Sequence, residues 1–179
     1  MKYVSIDIET TCVEPKCPDN ILMVAMLVED TKNKMPRQEI PTFACLVNRS
    51  IYSGTPFALS MNNWIFDMLT RKDDSKYPIY ESDEWVSKAI QFLRTHFDFD
   101  DDIFATGKNV GSFDLLFFPD KLKSMFHYRH IDPGSMFIDW NKGPISLSKI
   151  KKNLGIDGVV THDAVDDAWD VIQILRTTY

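Results

Sequence analysis

The segment Val4–Thr11, VSIDIETT, sets the strongest constraint on what this chain can become. Its β-branched content makes Tyr3–Ile8 a strand, yet Asp7 and Glu9 are set among Val4, Ile6 and Ile8. Successive strand side chains alternate between faces, so Asp7 and Glu9 point one way while Ile6 and Ile8 point the other. Burying two carboxylates is costly unless something compensates their charge. The fold must therefore bring a cation or strong donors to this strand end. A D-x-E pair is common on solvated edges, so the rest of the chain has to name the partner.

More acids arrive from distant segments. In THDAVDDAWD, residues 161–170, a helix advancing about 100° per residue puts Asp167 on one face with Ala164, Val171 and Ile174. Asp166 falls beside Gln173 on the polar side, and Asp163 and Asp170 fall between and are expected in solvent. In GKNVGSFDLLFF, residues 107–118, Asp114 follows an expected strand and sits among Phe113, Leu115, Leu116 and Phe117. Each acid alone could be a solvated helix-start residue favoured by the helix dipole. Together they place costly carboxylates on three separate elements. Hard divalent cations prefer carboxylate oxygen, and four carboxylates with one histidine and no cysteine suit a two-ion phosphoryl-transfer site better than zinc.

The rest of the pattern describes an α/β layer structure. Strands are expected at Tyr3–Ile8, Ile21–Val28 and Thr42–Val47, with EPKCPDN turning the first into an antiparallel second. Met61, Trp64, Ile65, Met68 and Leu69 form a helical stripe capped by Ser60, and TRKDDSKYP reads as a surface loop. Ser82–Phe97 is an amphipathic helix with Ser82 as N-cap. A solvated acidic turn precedes the strand Ile103–Thr106, Leu115–Phe126 is helical, and Ile131 is a short strand. A helix ends at Gly155, and Asp163–Leu175 closes the chain. Strands first, then helices alternating with short strands, predict a mixed sheet, antiparallel at one edge, in a single domain spanning 1–179.

Composition narrows the class. A hydrophobic fraction of 44% and an aromatic fraction of 12% belong to a folded chain with a real core. The three cysteines fit no disulfide framework or usual zinc pair and are expected as free thiols. No apolar run approaches the roughly 20 residues that span a bilayer, and Asp7 and Glu9 occupy the place of a signal peptide's apolar stretch. A soluble, cytoplasmic protein with no membrane partner is expected. The net charge of −6 is uneven: Lys108–Lys152 holds eight Lys and Arg against four Asp. Such a stretch suits a short anionic ligand better than tracking along long nucleic acid, which needs many phosphate contacts.

DIE at Asp7–Glu9, NVGSFD at Asn109–Asp114 and HDAVDD at His162–Asp167 resemble, in order and spacing, the three motifs of the DEDDh 3′–5′ exonucleases. FHYRHID at Phe126–Asp132 is most similar to oligoribonuclease within that group. The resemblance implies a ribonuclease H-like α/β fold, a mixed five-stranded sheet flanked by helices. It further implies that Asp7, Glu9, Asp114 and Asp167 hold two Mg²⁺ or Mn²⁺ ions, with His162 as general base. Thr10, Thr11, Val13, Asn109 and Phe113 would line the substrate, with Val13 wedging between terminal bases and Trp64 stacking on one. His127, Tyr128 and Arg129 would reach across a homodimer to cap the other end of a short single-stranded RNA or DNA. Cys12 stands where the family has glycine, and Phe113 where oligoribonuclease has glutamine. The sequence displays no reader of the 2′-hydroxyl, so a DNA-directed proofreading or repair exonuclease stays open. So does a catalytically silent nucleic-acid-binding domain on the same fold.

Overall fold

A computed structural model describes residues 1–158 and 161–179. Five strands form one sheet: β1 (Lys2–Thr10), β2 (Ile21–Asp30), β3 (Thr42–Asn48), then, after helices α1 (Pro56–Met61) and α2 (Asn63–Arg71), β4 (Ile79–Glu81), and after helix α3 (Glu84–His96), β5 (Ala105–Thr106). The short helices α4 (Asp114–Phe117), α5 (Asp120–Lys123) and α6 (Pro133–Met136) follow, then α7 (Leu147–Leu154) and α8 (Ala164–Leu175).

The spatial order is β4-β3-β2-β1-β5. β2 runs antiparallel to both neighbours, whereas β4 and β5 lie parallel to β3 and β1. The antiparallel strand is thus in the middle, not at an edge as expected from the sequence. A reason is visible in β2 itself, where ILMVAMLVE is buried without interruption. A strand apolar on both sides must be covered on both faces, which is the central position of the sheet.

Each face has its own core. Val4, Ile6 and Ile8 point with Val24, Met26 and Val47 toward α3, where Trp85, Ala89 and Leu93 are fully buried. Tyr3, Ala25, Leu27 and Leu46 point the other way, onto Ala168, Val171 and Ile172 of α8 and Ile150 of α7. Burying one large aliphatic side chain stabilises by about 1.5–3 kcal/mol, so the two layers hold the sheet firmly. Ser5 lies on the α8 face and donates its hydroxyl to the Ala168 carbonyl at 2.8 Å. That bond ties β1 directly to the helix one residue after Asp167.

Several boundaries differ from the sequence expectation. The stripe after Ser60 is two helices, because Thr55, not Ser60, caps α1 by accepting from the Ala58 amide, and the chain bends at Asn62. Asp83 rather than Ser82 begins α3. Leu115–Phe126 is not one helix, since Pro119 cannot continue α4 and restarts the chain as α5. The expected loop TRKDDSKYP holds the end of α2 and the buried Tyr77 and leads directly into β4. The expected strand at Ile131 is a single parallel bridge to Thr106.

Candidate active site

The acids gather because two parallel strands end together. β5 pairs with β1 at Val4–Ala105 and Ser5–Thr106, so β1 carries Asp7 and Glu9 just beyond the point where β5 turns toward Asp114. Gly107 makes the turn: a Cβ there would lie 2.5 Å from the Ile6 carbonyl oxygen, so no larger residue fits against β1. The register of β1 shifts between Glu9 and Thr10, a bulge at the strand end that re-aims the side chains there. The carboxyl ends of parallel strands are the usual ligand position in α/β sheets.

Here a cleft of about 450 Å³ is lined by Asp7, Asp114, His162, Asp167, Phe113 and Lys108, among others. Glu9 completes the set: its carboxylate, the His162 imidazole and the Asp167 carboxylate each offer an atom within 4.8 Å of the other two. Asp167 faces inward from α8 at 6% exposure, beside the buried Ala164, Val171 and Ile174, as the helical phase required. Asp166 turns outward to Arg37 and to the Thr161 hydroxyl. Glu9 is 5% exposed and Asp114 3%.

Desolvation and neighbouring negative charge leave their mark on each of these acids. Desolvation, then the neighbouring Asp114 and Glu9 charges, holds the Asp7 carboxyl well above the ordinary carboxylate range. Burial pushes Glu9 up to about 8, with the Asp167 charge adding to it. Burial likewise raises Asp114 to about 7 and Asp167 to about 6, the latter against the lowering influence of the Thr161 backbone and, more weakly, of His162. Oδ1 of Asp167 is buried and has no hydrogen-bond partner among the described residues. A cluster of this kind is kept ionised at neutral pH by an added cation, and its donors are the oxygens and imidazole that hard divalent ions accept.

His162 sits at the exposed rim just before α8, with its backbone in the left-handed region at φ 55°. Asp163 fixes the segment that follows by accepting from the Val165 amide as the N-cap of α8. It also accepts from the Tyr77 hydroxyl at 2.9 Å and from Lys76 Nζ at 2.7 Å. Asp170 pairs with Lys151 at 2.6 Å, both nearly out of contact with water. Both aspartates are thus buried, not solvated as expected. Their partners come from elsewhere in the chain, which helical phase alone does not reveal.

The substrate candidates divide. Phe113 lines the cleft with its ring against Phe117, and Val13 is 63% exposed just past the strand end. The Thr10 hydroxyl donates to the Cys12 carbonyl and the Thr11 hydroxyl to Asn20, so both are committed internally. Asn109 is exposed, in the left-handed region at φ 60°, and accepts from Lys108 Nζ. Trp64 is half-buried on α2, tilted against Tyr77 with Lys76 Nζ 5.6 Å from its ring centre. His127, Tyr128 and Arg129 are not brought to the cleft. His127 stacks on Phe104, Tyr128 is 72% exposed, and the Arg129 guanidinium lies 5.3 Å from the Tyr128 ring centre.

Sequence reasoning missed Asn62. It is fully buried at the junction of α1 and α2, donates to the Thr10 carbonyl at 3.1 Å and favours the charged form of Glu9. An Asn at the bend of an apparent helix gives no local sign of this role.

The family model described as Exonuclease, RNase_T, matches residues 4–175. The chain belongs to this exonuclease family. Its sheet and flanking helices form the ribonuclease H-like α/β fold of solved exonuclease structures. The exonuclease domain of this chain superposes on E. coli exonuclease I, in a zinc-bound complex with single-stranded DNA, with a TM-score of 0.69 at 15% identity over 98% of its length. Cell-death related nuclease 4 gives 0.64 at 14% identity over 99%, and S. pombe Pop2p, with Mg²⁺ and Mn²⁺ bound, 0.61 at 13% over 98%. The chain spans 40% of exonuclease I, 63% of the cell-death nuclease and 81% of Pop2p. A search among curated proteins finds no match.

Proposed function

We propose that this exonuclease removes 5′-mononucleotides from the 3′ end of short single-stranded nucleic acid, in the manner of oligoribonuclease, acting as a single domain over residues 1–179. The observation that carries the proposal is the meeting of Asp7, Glu9, Asp114, Asp167 and His162, from three separate segments, around one cleft. A silent binding domain would have no use for this many unneutralised buried acids, each of which costs stability. The residues fit two divalent ions: hard oxygen donors, no thiolate, and the unpartnered Oδ1 of Asp167.

Asp7, Glu9 and Asp167 would hold one Mg²⁺ or Mn²⁺, and Asp7 with Asp114 the other. Bound there, such ions supply the positive charge that activates water and offsets charge on the leaving oxygen. The chain's own residues do the rest. His162, exposed at the rim, accepts the attacking water's proton on an imidazole nitrogen. Asp163, anchored by Tyr77, keeps the following helix start in place. Phe113 and Ile8 provide an apolar wall on the cleft. Tyr128 and Arg129, exposed and remote from their own cleft, are free to reach a partner's, which supports a homodimer capping the far end of a short strand.

The test is mononucleotide release from matched single-stranded RNA and DNA oligomers of several lengths, with Mg²⁺ or Mn²⁺ and with chelator. Release that requires metal, and rises as strands shorten, is expected. Activity confined to long duplex ends would overturn the short-strand assignment, and metal-independent release the chemistry.

A further inference from the structure

The cleft has a side opposite in character to its carboxylates. Lys108 lines it together with Ser146 and Ser148. Its ammonium has three protons to give, and one goes to Asn109 Oδ1 at 2.8 Å. Among the described residues no carboxylate lies within ion-pair distance of it, whereas the ammoniums of Lys76 and Lys151 each hold an aspartate at 2.7 Å or less. Lys108 is thus a half-buried cation on the cleft with no carboxylate at ion-pair distance among the described residues.

Lys108 extends beside Gly134, where a Cβ would come within 2.8 Å of its Nζ, 2.9 Å of its Cε and 3.1 Å of Asp132 Oδ1, so a larger residue there would displace the lysine's flexible end. Asp132 ties the two turns together, accepting from the Asn109 amide at 3.3 Å and the Gly134 amide at 2.7 Å. The Ser146 and Ser148 hydroxyls, lining the same cleft, are 3.1 Å apart. Whichever donates to the other, one O–H of the pair remains free.

We propose that Lys108 and the Ser146–Ser148 pair form a phosphate subsite that grips a non-bridging oxygen of a backbone phosphate on the bound single strand. This rests on the exonuclease reading above and adds its strand-holding element. Acids alone would repel a polyanion. An ammonium with two uncommitted protons and a free hydroxyl is a charge-assisted donor set for a phosphate oxygen.

The experiment compares wild type with Lys108→Gln and Lys108→Arg, by fluorescence anisotropy of a labelled single-stranded hexamer with Ca²⁺ in place of Mg²⁺. Lys108→Gln is expected to weaken binding about tenfold, the scale of one charge-assisted hydrogen bond. It should also flatten the dependence of log affinity on log salt by about 0.7, one single-strand phosphate contact. Lys108→Arg is expected to restore both. Unchanged affinity and salt slope in Lys108→Gln overturns the subsite, as does a wild type that binds no strand. Mononucleotide release by the wild type with Mg²⁺ is measured separately. If release is absent while Lys108→Gln still loses its salt-dependent binding, the nuclease reading fails and the subsite stands.

Discussion

Helix α8 carries two kinds of buried acid within eight residues. Asp163 and Asp170 are each matched by a lysine at hydrogen-bond distance, with Tyr77 added at the first. Asp167, between them, has no protein cation and one oxygen with no partner among the described residues. The same contrast holds across the sheet, where Glu29 is fully buried but gripped by Arg176, while Asp7 and Glu9 on the neighbouring strand lie among other acids with no Lys or Arg ion-pair partner among the described residues. In the proposed reading, burial alone does not mark function; burial without a protein counter-charge does. Paired acids then serve the fold, and the unpaired ones are the proposed ion ligands.

The sharpest way to break this comparison is to remove one member of each kind. Asp7→Asn should lower turnover on the order of 10³-fold or more, because it takes a ligand from both proposed ion positions. It should leave metal-free stability unchanged or raised, since it relieves repulsion. His162→Ala is expected to slow turnover by about 10²–10⁴-fold, the usual worth of a general base. Steady-state rates with Mg²⁺ beside chemical denaturation in chelator measure both variants. If Asp7→Asn kept full activity, unpaired burial would carry no functional meaning here.

Lys151→Met tests the other kind. It strips Asp170 of its partner in a buried setting, where breaking a pair costs about 3–5 kcal/mol. The urea midpoint should fall accordingly while turnover of the folded enzyme stays near wild type. A variant as stable as wild type would show that Asp170 had no need of its lysine.

A pH series distinguishes the two kinds without mutation. Glu9, Asp114 and Asp167 are raised to about 8, 7 and 6 in the folded chain, against an ordinary carboxylate range near 4. The native state then binds more protons than the unfolded state between those limits. Metal-free stability from these groups is present near pH 4 and is lost as pH rises toward about 8. Melting temperatures in chelator should drop across that window, and Mg²⁺ should shrink the drop. A flat profile in chelator would mean that the unpaired acids are not destabilising.

How much of this could be read in advance follows from how local each signal is. Strand alternation places Asp7 with Glu9, and helical phase selects Asp167 over Asp166, because both depend only on neighbours in the chain. Pairing partners do not. Tyr77 and Lys76 reach Asp163 across 86 and 87 residues, from a stretch whose Asp, Ser, Lys and Pro content reads as a loop. β4 is three residues long and exists only by parallel pairing with β3, a contact that leaves no periodic trace. Asn62 was hidden for the same reason, since an asparagine at a helix bend acquires meaning only from what packs beside it; Lys108 showed only as the start of a basic stretch, and its place on the cleft comes from the fold.

The smallest effect sharpens the phase argument itself. Asp166 adjoins Asp167 in sequence and carries the same charge, so any account based on an acidic helix start treats them alike. The structure separates them by one helical step, which turns Asp166 to the partly exposed Arg37. A pair so placed contributes about 0–1 kcal/mol, because water and salt screen it. Asp166→Ala should change turnover by less than about threefold and stability by no more than that amount. Asp167→Ala should fall with Asp7→Asn. Equal losses at both positions, measured side by side at saturating Mg²⁺, would mean that the charge of the helix start, not the direction of one carboxylate, is what the cleft requires.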